Sequence, residues 1–364
     1  MLFSCEKPIS EFQSQNFIKF FGSGYESKGN DVIELSDGGY VITGYDKANG
    51  SNSQIFAAKV DKNGNLIWSN TFGEMNVQKE GKVVKEVSDG FLIAGTSLGS
   101  SGITHSFILK TNAYGDSLWY KEFGDPSYSI VVNDFVVSSS NIFVAGQSDK
   151  TAVNKTDFYK AKLDLSGVLI YDKSSYTGTN SSYKRIFLQQ GDNLLLIGTL
   201  NDNVISIVPV VQSTMNENNP YNTVIANETA ADASLNGDQI YLLINNSIQS
   251  SFKVSKLNLS YSEEWHTESI SSIVGKSVAY NDDGTLTICG ESILEGNSII
   301  NFIKVNADGS TYYGQQYFRT FQGTVGRVIQ TKDKGLIMVG TTNETYGKNV
   351  QLIKTDKNYF MLKK

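Results

Sequence analysis

Asp37-Gly38-Gly39-Tyr40-Val41-Ile42-Thr43-Gly44 returns about fifty residues later as Ser88-Asp89-Gly90-Phe91-Leu92-Ile93-Ala94-Gly95. A polar turn, an apolar run and a closing glycine recur in the same order, and such self-similarity is the first thing to seek in a chain. Further copies end at Gly146, Gly198, Gly290 and Gly340, and a weaker one, Gln239 to Ile244, ends at Asn245. Successive ends lie 51, 51, 52, 47, 45 and 50 residues apart. The chain therefore holds seven units.

The first unit shows what one copy builds. Asp31 to Leu35 is a short apolar strand, and Ser36-Asp37-Gly38 is a turn whose glycine supplies positive φ. Tyr40 to Gly44 is the second strand, and a polar loop over Lys47 to Ser53 leads to a third, Ile55 to Val60. Asp61-Lys62-Asn63-Gly64 is a hairpin turn into a fourth strand, Leu66 to Phe72. Four antiparallel strands on short turns make one blade of a propeller. The expected fold is all-β, a seven-bladed β-propeller of four-stranded antiparallel blades. Strands that read as unbroken apolar runs fit blades packed on both faces.

The ends of the chain extend the pattern. Phe17-Ile18-Lys19-Phe20-Phe21-Gly22 matches the fourth-strand pattern Trp68-Ser69-Asn70-Thr71-Phe72-Gly73, whereas the seventh unit has its third strand, Gln351 to Lys354, and then only a stub, Tyr359 to Leu362. The N-terminal strand is expected to serve as the outer strand of the last blade and so to remove two open edges. Residues 1–15 are expected to form a tether and residues 16–364 a single domain.

Composition bounds the function. The 364 residues are 40% hydrophobic and 19% charged, which is globular rather than disordered. Thirty-three glycines mean many turns, and four prolines argue against a long stiff linker. A net charge of −6 argues against a nucleic-acid partner, which needs a basic face. No apolar run approaches 18 residues, so no membrane-spanning helix is expected.

Few residues invite chemistry. Cys289 lies in an apolar strand and reads as a small buried hydrophobe. His105 and His266 fall in different blades and read as solvated loop residues, so a multi-histidine zinc site is not expected. The turns Asp61 to Gly64 and Asn306 to Gly309 resemble pieces of a calcium loop but lack its distal ligands, so no metal and no cofactor are expected. Trp68 and Trp119 follow the turn glycines Gly64 and Gly115 by four residues, Tyr171 and Tyr313 keep that offset from Gly167 and Gly309, and Trp265 and Phe17 occupy related places. One aromatic at one position in nearly every blade is read as a packing device rather than a sugar platform.

Counting thirteen residues back from each second-strand end gives Asp31, Lys82, Asn133, Arg185, Asp232, Ser277 and Arg327, all polar. The first strand of a blade lines the central channel, so these seven are expected to ring one mouth of it, either as a binding rim or as charges that satisfy one another. Tyr25, Tyr183 and Arg319 are expected on the loop rim of the same face, together with Tyr128, Tyr176, Tyr221 and Phe321. The three arginines of the chain, Arg185, Arg319 and Arg327, all map there, and arginine forks pair carboxylates well, which makes an acidic glycan a conceivable ligand.

The run Asp-Gly-Gly-Tyr-Val-Ile-Thr-Gly, then Asp-Lys-Asn-Gly-Asn-Leu-Ile-Trp, then Phe-Gly resembles the repeats of secreted propeller proteins of Bacteroidota-type bacteria. The likeness runs from Phe17 onward, is cleanest in the first two units and poorest in the fourth and fifth, and implies fold and secretion but no activity. The Gly-His and Trp-Asp dipeptides of the Trp-Asp repeat family are absent, and only Gly38-Gly39 offers the kelch doublet. The sialidase box has the wrong internal spacing at Asp61 to Trp68. Leu2-Phe3-Ser4-Cys5 resembles the end of a bacterial lipoprotein signal, whose cysteine becomes the acylated first residue, although no apolar h-region precedes it here. That resemblance implies a lipid on Cys5, membrane attachment and a place in the cell envelope.

The expected function is therefore a non-enzymatic, envelope-anchored binding or scaffolding protein that offers its channel mouth to a glycan, peptide or envelope protein. The rival is a glycan hydrolase or lyase at the same mouth, for which Glu26, Asp31 and Asp232 are the carboxylates to inspect. A purely structural role in an envelope assembly is a third reading.

Overall fold

A computed structural model describes residues 16–49, 51–74, 76–150, 155–175, 179–223, 227–312, 322–342 and 347–356. Seven antiparallel sheets follow one another along the chain. Blade one comprises Glu26–Glu34, Tyr40–Lys47, Gln54–Val60 and Leu66–Phe72, hydrogen-bonded in that order from the axis outward. The inner strands of blades two to seven are Gln78–Val87, Ile130–Val137, Ser182–Gln189, Glu228–Asn236, Val274–Tyr280 and Gly323–Gln330. The outer strand shortens to Tyr221–Asn222 in blade four and to Thr311–Tyr312 in blade six. The protein is a seven-bladed β-propeller.

Closure follows the expected route. Phe17–Phe21 lies antiparallel to Val350–Lys354, with Phe17 opposite Lys354 and Phe21 opposite Val350, as the outer strand of blade seven. The first strand of the chain thereby removes the edge that the last blade would otherwise present. The stub Tyr359 to Leu362 and the tether 1–15 lie outside the described residues.

The core is divided into slabs. Seven apolar clusters are found among the described residues, one at each blade–blade interface. Alternate residues of one strand serve different slabs: Tyr40 and Ile42 face blade seven, whereas Val41 faces blade two. That is why the second and third strands are apolar at both parities. Phe107 and Phe135 are fully buried in such slabs, and each stabilises the fold by about 1.5–3 kcal/mol relative to an exposed ring.

The glycine expected to end the second strand lies inside it in six blades, as Gly44 does in Tyr40–Lys47, and has a mechanical cause. Every inner strand carries a β-bulge at the same height, shown by the register shifts at Gly29/Asp31, Gly81/Val83, Val132/Asp134, Tyr183/Arg185, Ala230/Asp232, Gly275/Ser277 and Val325/Arg327. At the bulge the inner backbone leans over its neighbour. A Cβ on Gly95 would stand 2.0 Å from the Glu80 carbonyl oxygen, and one on Gly146 would stand 2.0 Å from that of Val131. Blade five has Ile244 opposite Ala230 instead, which is why its copy of the signature is weak.

Candidate functional site: the channel mouth

Each bulge sets two residues on the axis. The extra residue, freed from the ladder, is Asn30, Lys82, Asn133, Lys184, Ala231, Lys276 or Gly326 in blades one to seven. The residue after it is Asp31, Val83, Asp134, Arg185, Asp232, Ser277 or Arg327. All seven bulge residues line a mouth cavity of about 200 Å³, and Asp31, Val83, Arg185, Asp232, Ser277 and Arg327 line it with them.

The expected ring of seven was therefore out of register in two blades. Lys82 and Asn133 are bulge residues, and their true counterparts of Asp31 are Val83 and Asp134. The hairpin between inner and second strands is one residue shorter in blades two and three: Glu86 pairs Phe91 and Val137 pairs Ile142, where Glu34 pairs Tyr40 in blade one. Counting back a fixed thirteen residues overlooks that loss. Blade five has the same short hairpin, but its repeat end at Asn245 lies one residue past the bulge partner Ile244, and the two offsets cancel at Asp232. Asp134 was the residue missed, although an acid inside Ile130-Val131-Val132-Asn133-Asp134-Phe135 was a visible signal.

Below the mouth, charges are spent on each other and on the next blade. Arg185 lies between Asp134 (Nη1 to Oδ2, 3.3 Å) and Asp232 (Nε to Oδ1, 3.3 Å), and Arg327 faces Asp31 (Nε to Oδ1, 3.8 Å). Asp31 also accepts the amide N–H of Val84 at 2.9 Å, Asp134 that of Ile186 at 3.2 Å, and Asp232 that of Val278 at 2.9 Å. Ser277 donates to Asp232 at 3.0 Å and accepts from the Val328 amide at 3.2 Å. Each acceptor thus holds an N–H of the following blade.

Burial shapes the ionisation here. It raises the Asp31 carboxyl, against Arg327, Lys85, the Val84 N–H and Arg185, which favour its charged form. Burial lowers Lys85, which Asp134 and Asp31 support and Arg185 and Arg327 oppose. Arg327 is also penalised by burial, yet Asp232, Asp31 and Asp134 hold its pKa up. Three carboxylates face two guanidiniums and one ammonium, so the throat is formally neutral. Both described arginines face these carboxylates as ion pairs, although the buried Arg185 Nε makes no hydrogen bond of its own.

The remaining expectations find varied places. Tyr25 is exposed beside the start of the first inner strand. Tyr183 does not reach the rim: it is buried at 1% exposure and stacks on Phe158 with ring centroids 4.1 Å apart. Tyr128 is half-buried under the Lys150 ammonium. Tyr221 lies against Tyr261, in a turn at the opposite end of blade five. Arg319, Tyr176, Phe321 and Cys5 lie outside the described residues. Glu26 accepts from the Tyr45 hydroxyl at 2.9 Å, and this bond, with help from Lys47, outweighs burial and lowers its pKa. His105 and His266 sit on strands rather than loops, and His266 Nδ1 lies 2.6 Å from Glu263. Cys289 is fully buried and free, and burial pushes its thiol well up. Asp61 accepts the amides of Asn63 and Asn65 at 2.8 Å, as a hairpin turn requires.

Two larger clefts open on the same face. One, of about 600 Å³, spans blades three to six and is walled by Gln147, Asn180, Ser182, Asp202, Thr229 and Asn245. The other, of about 380 Å³, spans blades one to three between Tyr45, Gln78, Glu80 and Thr96. Lys184 and Lys276 belong to both the first cleft and the mouth, and Lys82 belongs to both the second cleft and the mouth. The three cavities are therefore neighbours on that face, with these lysines at their borders. Lys184 and Lys276 each stand one residue before an expected ring residue, so a fixed count of thirteen does not reach them.

The β-propeller domain of Cps50 (Swd1) from Myceliophteria thermophila superposes with a TM-score of 0.56 at 9% identity, over 92% of this chain and 98% of that one. The WD40 β-propeller domain of Doa1 gives 0.58 at 11% identity, over 94% and 99%. A puromycin hydrolase, solved as its S511A mutant, gives 0.52 at 9% identity and is covered over half its length. What they share is the fold. No protein-family model matches the sequence, and no curated protein matches it.

Proposed function

We propose that this propeller is a non-enzymatic binding module whose ligand lies along the groove on the mouth face, and that Cys5 anchors it in the cell envelope. The observation that supports the reading is the adjacency of the mouth and its two flanking clefts, which share Lys82, Lys184 and Lys276. Concave, convergent polar surface of this kind is the default ligand seat of a protein. The groove is long and polar, which suits an extended glycan or peptide better than a compact apolar molecule. Asp31, Asp232 and Glu26, the carboxylates a hydrolase would need, each serve partners within the fold.

The test is an array of neutral and acidic glycans and of peptides, probed with the full chain beside Thr229→Trp, which fills the wider cleft. The reading expects a hit that Thr229→Trp abolishes. A hit indifferent to that substitution would move the site elsewhere, and release of product from a bound glycan would restore the hydrolase or lyase reading. The anchor is tested separately: a labelled fatty acid should enter the protein in the envelope of a bacterial host, and Cys5→Ser should abolish it.

A further inference from the structure

The mouth carries a feature its neutral throat does not explain. Among the seven bulge residues, lysine occupies blades two, four and six, spaced two, two and three blades around the ring. Lys82, Lys184 and Lys276 all border the same cavity of about 200 Å³. The carboxylates beneath them are already taken by Arg185, Arg327 and backbone amides, so they leave the lysines unbalanced.

The local acids compensate poorly. Glu80 faces Lys82 across the second cleft but bonds Lys28 at 3.0 Å and Asn30 at 2.9 Å. Glu291 lies 3.4 Å from Lys276 and also accepts the Val325 amide. Among the described residues no carboxylate lies within 4.0 Å of the Lys82 or Lys184 ammonium. Burial lowers both lysines, and Lys28 and Lys184 repel Lys82 further. Cationic groups gathered in a concavity at a desolvation cost are a binding arrangement rather than a stabilising one.

We infer that the lysines at the bulges of blades two, four and six form an anion seat in the channel mouth that takes a tetrahedral oxyanion, phosphate or sulfate. Lysine ammoniums are point charges with rotatable donors, suited to approach a tetrahedral group from several sides, whereas the planar forks that favour carboxylates already face Asp31, Asp134 and Asp232. The seat rests on the reading of the mouth as part of the ligand groove, and it names the chemistry recognised there. The oxyanion is either free in solution or carried by the ligand in the groove.

Calorimetric titration of the full chain with inorganic phosphate and with sulfate, at constant ionic strength set by chloride, tests the seat directly. Lys184→Met and the triple variant Lys82→Met/Lys184→Met/Lys276→Met should lose at least about tenfold in affinity. Lys184→Arg should retain most of it, and Lys62→Met, in a turn at the far face, should bind as the wild type. Equal binding by wild type and triple variant, or no binding by wild type at millimolar anion, overturns the seat. Sulfated and phosphorylated oligosaccharides in the same titration separate the two sources: tighter binding than the free ion assigns the group to a ligand, and equal binding assigns it to the free ion. An array hit that Thr229→Trp abolishes but the lysine variants leave intact keeps the groove and removes the anion seat. Anion binding without any array hit does the reverse.

Discussion

Lys184 shows how a single side chain carries both the cost and the use of the mouth. Its backbone sits at a bulge, so no ladder partner constrains it, and its ammonium is held in a concavity without a paired carboxylate. Burial lowers its pKa below the ordinary 10.5, with Asp202 opposing. A base depressed in the folded state binds fewer protons there than in the unfolded chain, between its folded pKa and 10.5. Its contribution is therefore fully present above 10.5 and is lost as pH falls through the folded pKa. Lys184→Met should be more stable than the wild type at neutral pH, and its advantage should shrink as pH rises toward 10.5. Urea unfolding of both proteins across an alkaline pH series measures this, and an advantage independent of pH would contradict it. Gain of stability with loss of anion binding is the expected signature of a functional residue.

At the scale of elements, the aromatic repeat couples one blade to the next. Phe17 lies against Gly64, Trp68 against Gly115, Trp119 against Gly167 and Trp265 against Gly309, so an outer-strand ring of one blade covers the third-to-outer turn of its neighbour. The Trp68 indole also donates to the Ala113 carbonyl at 3.2 Å. Gly115 and Gly38 separate the contributions to such a turn. Both have positive φ, +86° and +82°, but a Cβ on Gly115 would stand 2.8 Å from the Trp68 ring, whereas one on Gly38 meets open space. Gly38→Ala should cost about 1 kcal/mol or somewhat more for the backbone alone, and Gly115→Ala should cost clearly more. Denaturant midpoints of the two variants settle the order, and equal losses would mean that the ring packing contributes nothing.

The same elements explain what could be read beforehand. Four strands per blade, the turns and the packing role of Trp68 and Trp119 follow from residue types that recur at fixed offsets. The bulge does not, because its extra residue can be Asn30, Lys82, Ala231 or Gly326, with no shared chemistry. The lengths of the hairpins at Val87 and Val137 change by one residue without any loss of turn character. Side-chain direction at the axis depends on that single residue, so Asp134 was overlooked while Lys82 and Asn133 were placed one step out of line. The charge partners of Arg185 join blades three, four and five, and a pairing across separate repeats leaves no periodic trace.

At the scale of the molecule, stability is distributed over seven interfaces and depends on closure. The strand Phe17–Phe21 supplies the whole outer edge of blade seven among the described residues, and Phe17 enters the slab between blades seven and one. Deleting residues 1–21 should expose the Val350–Lys354 edge and part of that slab. The truncated chain should unfold with lower cooperativity, or self-associate through the vacated edge. Thermal unfolding with light scattering reads both outcomes, and a monomer that melts as the intact chain does would show that closure is dispensable. A synthetic peptide spanning residues 16–22 should restore the lost transition.

Two sets of inter-blade contacts also share a direction. Asp31, Asp134, Asp232 and Ser277 each take an amide from the blade that follows, and Phe17, Trp68, Trp119 and Trp265 each cover the turn of the blade that follows. In symmetry terms the blades are joined head to tail, by heterologous contacts of the kind that make either rings or open filaments. Nothing in one blade-to-blade contact limits the count: only the rotation per step and the shared strand bring the seventh blade back to the first. A chain whose N-terminal strand reached the seventh blade of another copy would keep every one of these contacts. The intact ring and a linked chain of molecules are thus built from one and the same joint, and the linkage between Phe17–Phe21 and Val350–Lys354 within a single chain is what selects the closed ring.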